Sequence, residues 1–291
     1  MSDSENTIKL HDGRILGYFE FGTPSGKPVF YFHGSGVGSG IYAKSISKEA
    51  EKHNIRLISP DRPGIGISDP KSGRSISDWS EDVVQLADAL ELPSFSILSQ
   101  SAGSAYAFAC MRMYPDRVIK ASVVSGLYPM HDKSLRKGLP PASRFLAGML
   151  VKSPDWVIKK MFAGTKAQVD KDLKAICIKL KKRALPVEKE ILADPSFMQI
   201  YLESIKHAYK QGIDAVAADF RLCFADWGFG LSEIKNMVHI WHGERDTSSP
   251  VLLAKRNEQL LTDCSSVYFP DDTHMSVLHR HIDEILTSFN M

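Results

Sequence analysis

An α/β protein with a mostly parallel sheet and helices on both faces is what this sequence predicts. Three observations carry that expectation. Short apolar runs alternate with helical patterns from Ile15 to Val124, the signature of strand–helix units around a parallel sheet. Several of those runs, such as Val29-Phe30-Tyr31-Phe32, are continuously apolar, as strands buried on both faces must be. Between about Leu127 and Pro195 the strand signal stops and only helical patterns remain.

In chain order, Ile15 to Phe21 reads as an early antiparallel strand, and Val29 to Phe32 as a buried one. The second runs into His33-Gly34-Ser35-Gly36-Val37-Gly38-Ser39-Gly40, whose glycines let backbone approach a ligand closely. A phosphate-binding loop is one reading, disfavoured because no GK[ST] ending follows. A helix is expected over Ala43 to Lys52, a strand over Ile55 to Ser59, then the loop Asp61-Arg62-Pro63-Gly64-Ile65-Gly66-Ile67-Ser68. That loop has only two glycines, at the wrong distance from a helix for dinucleotide binding. Ser77 or Ser75 caps a helix over Asp78 to Leu90, whose Val83, Leu86, Ala87 and Leu90 recur at helical spacing. Strand Phe95 to Leu98, helix Ala105 to Met113 and strand Ile119 to Val124 follow.

The helical stretch opens a helix at Ser153-Pro154-Asp155-Trp156 and a second at Thr165-Lys166-Ala167-Gln168, with Val169, Leu173, Ile176 and Leu180 as its apolar stripe. Asp194-Pro195 begins a long helix ending near Gly212, and another spans Ile213 to Ala225. Strands Val238 to Trp241 and Val267 to Phe269, a helix over Pro250 to Leu260 and a closing helix over Met275 to Phe289 complete the chain.

With 291 residues, 43% of them hydrophobic, there is material for a sizeable core. A net charge of +2 gives no global field toward nucleic acid or a membrane surface. Residues 127–190 nevertheless hold fifteen Lys/Arg against six Asp/Glu, a net of +9, which leaves about −7 for the rest. The solvated faces of surface helices are the expected reason; attraction of an anionic substrate or surface, strongest at Lys179-Leu180-Lys181-Lys182-Arg183, is the alternative. The four cysteines are widely spaced and suggest neither disulfides nor a metal site. The polar N-terminus has no secretory pattern, and no apolar run reaches the ~18 residues of a membrane span. A cytoplasmic protein, monomeric or homodimeric, without cofactor or metal, is the expectation.

The chemistry centres on Phe95-Ser96-Ile97-Leu98-Ser99-Gln100-Ser101-Ala102-Gly103-Ser104. A serine between strand and helix, with small residues two positions to either side, is the nucleophile-elbow arrangement. Bulky flanks would collide with strand or helix; Ser99, where glycine is usual, and Gly103 fit. A serine nucleophile needs a base and an orienting acid. Asp246 ends the strand and turn from Val238, and His274 follows the last strand.

These elements, in the order Ser, acid, His, resemble the α/β-hydrolase superfamily, with the likeness running from Ile15 to Phe289. The resemblance implies a Ser101–His274–Asp246 triad and an all-helical cap inserted after the sixth core strand. It implies a core of residues 1–126 and 196–291, with the cap at 127–195. The His-Gly loop then supplies one oxyanion amide from Ser35 and the elbow a second from Ala102. Asp61 to Ser68 matches the superfamily's Asp-Arg-Pro-Gly-x-Gly-x-Ser loop, read as structural, as is His33. The substrate pocket is expected to involve His33, Gly34 and Gln100, with Phe145, Met149, Trp156 and Met161 from the cap. Glu244 is the rival to Asp246. Asp271 and Asp272 lie too near His274 in sequence, His242 is expected to shape the acid's turn, and His279 and His281 suggest surface roles.

Serine at 101 disfavours dehalogenases and epoxide hydrolases, which carry aspartate there. Ser99-Gln100-Ser101-Ala102-Gly103-Ser104 matches the Gly-Gly-Ser-Trp-Gly-Ser of proline iminopeptidases poorly. An esterase, lactonase or thioesterase acting on a small acyl substrate is preferred. A proline-iminopeptidase-like or cofactor-free haloperoxidase-like enzyme and a ligand-binding receptor on this fold are the alternatives.

Overall fold

The computed structural model describes residues 5–36, 38–131, 133–137 and 139–290. The first residues of the polar N-terminus, Val37 of the glycine loop and the first charge of the basic stretch, Asp132, lie outside them. Eight strands form one sheet: β1 (Asn6–Lys9), β2 (Ile15–Gly22), β3 (Lys27–Phe32), β4 (Ile55–Pro60), β5 (Phe95–Gln100), β6 (Val118–Val124), β7 (Met237–Gly243) and β8 (Cys264–Phe269). Their spatial order is β1-β2-β4-β3-β5-β6-β7-β8. Strand β2 runs antiparallel to both β1 and β4, and every other pairing is parallel. The short β1 was not expected: its Asn6-Thr7-Ile8-Lys9 shows too little apolar character, and pairing with β2 is what makes it a strand.

The helices are α1 (Ser47–Lys52), α2 (Asp78–Ala89), α3 (Gly103–Met113), α4 (Lys133–Arg136), α5 (Pro141–Lys152), α6 (Asp155–Lys171), α7 (Leu173–Arg183), α8 (Pro186–Ala193), α9 (Pro195–Ala208), α10 (Asp214–Phe224), α11 (Val251–Glu258), α12 (Ser276–Arg280) and α13 (Ile282–Thr287). Two apolar layers cover the sheet. One gathers Phe30, Phe32, Trp79, Tyr106 and Phe108; the other gathers Tyr31, Tyr42, Phe197, Tyr209 and Leu286. Each such side chain contributes about 1.5–3 kcal/mol by leaving water. Alternate residues of β3, Phe30 and Tyr31, enter opposite layers, which is why that strand reads as continuously apolar.

Several boundaries differ from expectation. The first helix begins as a 3₁₀ turn over Gly40–Ile46 before α1. Ser75, rather than Ser77, meets the start of α2: its hydroxyl donates to Asp78 at 2.7 Å. No helix starts at Thr165, which lies inside α6; the break falls at Asp172, where the backbone becomes extended. The closing helix is two, α12 and α13, divided at His281. Its histidines are not confined to the surface. His279 bonds the Tyr42 hydroxyl at 2.9 Å and packs on Phe197, and burial pushes it down to about 4. His281 stacks on Phe269 and pairs with Asp272.

From β3 the chain moves outward to β4 on one side, then returns to β5 on the other. This reversal opens a crevice beyond the carboxyl ends of β3 and β5, where open parallel sheets bind ligands. Gly34 and Ser35, which follow β3, and the β5–α3 turn meet there.

Candidate active site

Ser101 sits in that turn with φ of 53°, a left-handed conformation that costs a non-glycine residue about 1–3 kcal/mol. The surroundings hold it there. Its amide donates to the Val124 carbonyl at 3.0 Å, and its carbonyl accepts from the Leu127 amide and the Ser104 hydroxyl. A Cβ on Gly103 would stand 2.1 Å from the Phe32 carbonyl oxygen, so only glycine fits this flank. Ser99, at the other flank, is fully buried in β5 with its hydroxyl turned toward the Ser122 carbonyl.

Asp246 and His274 arrive from the ends of β7 and β8. The His274 Nδ1–H donates to Asp246 Oδ2 at 2.7 Å, which leaves Nε2 as the ring's acceptor. The other Asp246 oxygen accepts the Ser248 and Ser249 amides, both at 2.8 Å. Burial would disfavour the charged imidazolium, but the Asp246 charge and hydrogen bond, with a smaller contribution from Glu188, raise the His274 pKa above its ordinary value. Glu244 faces solvent and pairs with Lys255 at 2.8 Å. His242 is buried and donates from Nε2 to the Ser249 carbonyl, bracing the turn that carries Asp246.

A cavity of about 120 Å³ is bordered by Ser101 and His274 with Gly34, Ser35, Gly38, Tyr42, Gln100, Tyr201 and Met275. Gly34 backbone lies against the serine: a Cβ there would stand 3.9 Å from Ser101 Oγ. Ala102 is the N-cap of α3, so its amide has no partner within the helix. Gln100 accepts from the Tyr31 hydroxyl at 2.7 Å, which fixes its amide on the cavity floor.

Five expected pocket residues, His33, Phe145, Met149, Trp156 and Met161, do not border this cavity. His33 lies beneath the loop, donating from Nδ1 to the Gly34 carbonyl; burial, then the nearby Arg62, keeps it neutral. Phe145 and Trp156 are 74% and 66% exposed. The buried residues of α5 are Ala147 and Leu150 and that of α6 is Ile158, so these aromatics point away from the packed faces. Met149 and Met161 are exposed as well.

Tyr42, Tyr201 and Met275 were missed by sequence reasoning, although Phe197, Tyr201, Ile205 and Ala208 make a legible buried stripe on α9. Asp219 was missed too. It falls on the buried stripe Val216–Asp219–Cys223 of α10, and an acid in such a place requires cationic partners. It has them: Arg62 and Arg74 both donate to it, as do Tyr106 and Ser35. Arg62, from a loop read only as structural, thus finds its partner 157 residues away.

A model of the serine aminopeptidase S33 family matches residues 23–208, more than half of the chain. The chain belongs to this family of α/β-hydrolases. A non-heme chloroperoxidase of Streptomyces lividans is 32% identical over 130 residues, 44% of this chain and 47% of the relative, so the likeness spans about half of that protein. The 2-hydroxy-6-oxo-2,4-heptadienoate hydrolase of Pseudomonas putida is 23% identical over 243 residues, 81% of this chain and 78% of the relative. Among solved structures, a bromoperoxidase from Bacillus anthracis superposes with a TM-score of 0.72 at 20% identity, covering 99% of both chains. A thermophilic esterase from Thermogutta terrifontis gives 0.68 at 17% identity, covering 99% of this chain and 98% of the esterase. These superpositions establish the α/β-hydrolase fold, and the family makes the protein a hydrolase. No helix among the described residues is long and apolar enough to cross a membrane.

Proposed function

We propose that this hydrolase cleaves the ester bond of a small acyl substrate, thioester or lactone included, through an acyl-enzyme on Ser101. The observation that carries this reading is the strained Ser101 facing a cavity it shares with His274, whose tautomer is fixed by Asp246 at 2.7 Å. His274 Nε2 takes the Ser101 proton as the oxygen attacks the acyl carbonyl, then passes it to the leaving alcohol. Asp246 holds the ring and stabilises the imidazolium. The Ser35 and Ala102 amides receive the developing oxyanion, each contributing ~10²–10³ in rate. Water, activated by the same histidine, releases the acid.

The cavity of about 120 Å³ is well below the ~300–1,000 Å³ of drug-sized sites, which supports a short acyl group. Residues 127–195 then serve as a cap in the sense of a roof over the site rather than a wall of aromatic side chains. A series of p-nitrophenyl esters, run beside proline and alanine arylamides, tests the reading. Turnover is expected to peak between acetate and butyrate and to exceed arylamide cleavage. Faster cleavage of the prolyl arylamide would make the enzyme an iminopeptidase. Tight binding of esters without turnover would make it a receptor.

A further inference from the structure

Beneath the oxyanion loop lies a buried ion cluster whose parts come from four separate places in the chain. Asp219 of α10 is its centre. Arg62 donates to both carboxylate oxygens, at 2.8 and 2.9 Å, and Arg74 and Tyr106 donate to Oδ1 at 2.8 and 2.7 Å. The Arg62 guanidinium also stacks over the Tyr106 ring. Burial alone would favour the protonated acid, but the two guanidiniums outweigh it and hold the carboxyl well below the usual carboxylate range. The two guanidiniums thus favour the carboxylate form of Asp219.

The cluster faces the oxyanion loop through three hydrogen bonds. Arg62 donates to the His33 carbonyl at 2.7 Å and to the Gly34 carbonyl at 3.0 Å. Ser35 donates its hydroxyl to Asp219 Oδ2 at 2.8 Å. Successive residues 33, 34 and 35 are thus held by fixed, desolvated charges, and the peptide whose N–H belongs to Ser35 is clamped at both ends. A glycine-rich loop has little rigidity of its own, so its amide direction must be imposed from outside.

We infer that Asp219, acting through Arg62 and the Ser35 hydroxyl, is a positioning residue that aims the Ser35 amide at the oxyanion and makes α10 part of the catalytic frame. The inference rests on the serine-hydrolase reading above. Ser35→Ala deletes one hydroxyl and leaves the backbone amide and the fold in place. Losing a whole oxyanion donor costs ~10²–10³; misdirecting one costs less, and we expect kcat to fall roughly tenfold with KM within about twofold. Asp219→Asn, which also weakens the hold on Arg62, should lower kcat further, and the two changes should be non-additive because both act on the Ser35–Asp219 contact. Ser35→Thr, which keeps the hydroxyl, should restore most of the rate.

The test is the rate of Ser101 modification by a fluorophosphonate, measured with kcat and KM for p-nitrophenyl acetate and with thermal melting. A slower reaction in Ser35→Ala at unchanged melting temperature, with threonine rescue, supports the clamp. Equal rates in wild type and Ser35→Ala overturn it while leaving the hydrolase reading intact, and the alanine variant decides even if Asp219→Asn does not fold. Absence of modification in the wild type overturns the serine-hydrolase reading, and the clamp's catalytic role with it.

Discussion

The carboxyl edge of the sheet and the helical stretch between β6 and β7 both contribute to one small cavity, but by different physical means. Along the sheet edge, the serine, the histidine and the acid are each placed by the backbone around them. Ser101 is set by a left-handed turn pinned to β6, Asp246 by two amides of its own turn, and His274 by the end of β8. The helical stretch reaches the cavity through single side chains instead. Tyr201 borders it from α9, Asp219 of α10 accepts the Ser35 hydroxyl, and Glu188 of α8 accepts from the Thr273 hydroxyl beside His274 at 2.7 Å. Changes at the sheet edge should therefore abolish chemistry, whereas changes in the helices should adjust its rate or pH range.

The comparison breaks most readily at the acid. Asp246→Asn leaves the serine and both amides in place but disturbs the histidine tautomer, and kcat should fall by about 10⁴. Glu244→Gln, in the same turn but paired with Lys255 at the surface, should change kcat by less than about tenfold. The gap is roughly 4 kcal/mol of barrier, at ~1.4 kcal/mol per decade. A dead Gln variant beside an active Asn variant would reverse the assignment.

The helical side gives the smallest effect. His274 must be neutral to accept the Ser101 proton, so kcat/KM falls as pH drops through its pKa. Because Asp246 and Glu188 together raise that pKa, the acid limb should lie above histidine's ordinary value of about 6.5. Glu188→Gln removes one of the two negative charges and should move the limb to lower pH with little change in the plateau rate. A limb that stays in place, or moves up, would remove α8 from the account.

The same difference explains what was legible in the sequence. Groups placed by local backbone leave local patterns. Ser99 to Gly103 announces a tight strand-to-helix turn, and Gly243 to Asp246 announces a turn ending in an acid. Seven of the eight strands could be read, β2 from its alternation and central strands such as β3 from their continuous apolar runs; β1 could not, since its pairing with β2 makes it a strand. Groups placed by long-range packing leave no such pattern. Arg62 could be read as an ion-pair former, but its partner lies 157 residues away. Phe145 and Trp156 were assigned to the pocket on size and apolarity, properties that say nothing about which side of a helix meets the site. Tyr201 and Asp219 do sit on buried stripes, so the periodicity of α9 and α10 gives their faces but not their neighbours.

The central claim is that Ser101 is the nucleophile, and covalent labelling tests it most directly. The protein is treated with a fluorophosphonate, digested, and the modified peptide sequenced by tandem mass spectrometry, in parallel with Ser101→Ala of unchanged melting temperature. The account predicts a single adduct on Ser101 and none in the alanine variant. An adduct on another serine, or one that persists in the variant, would contradict it.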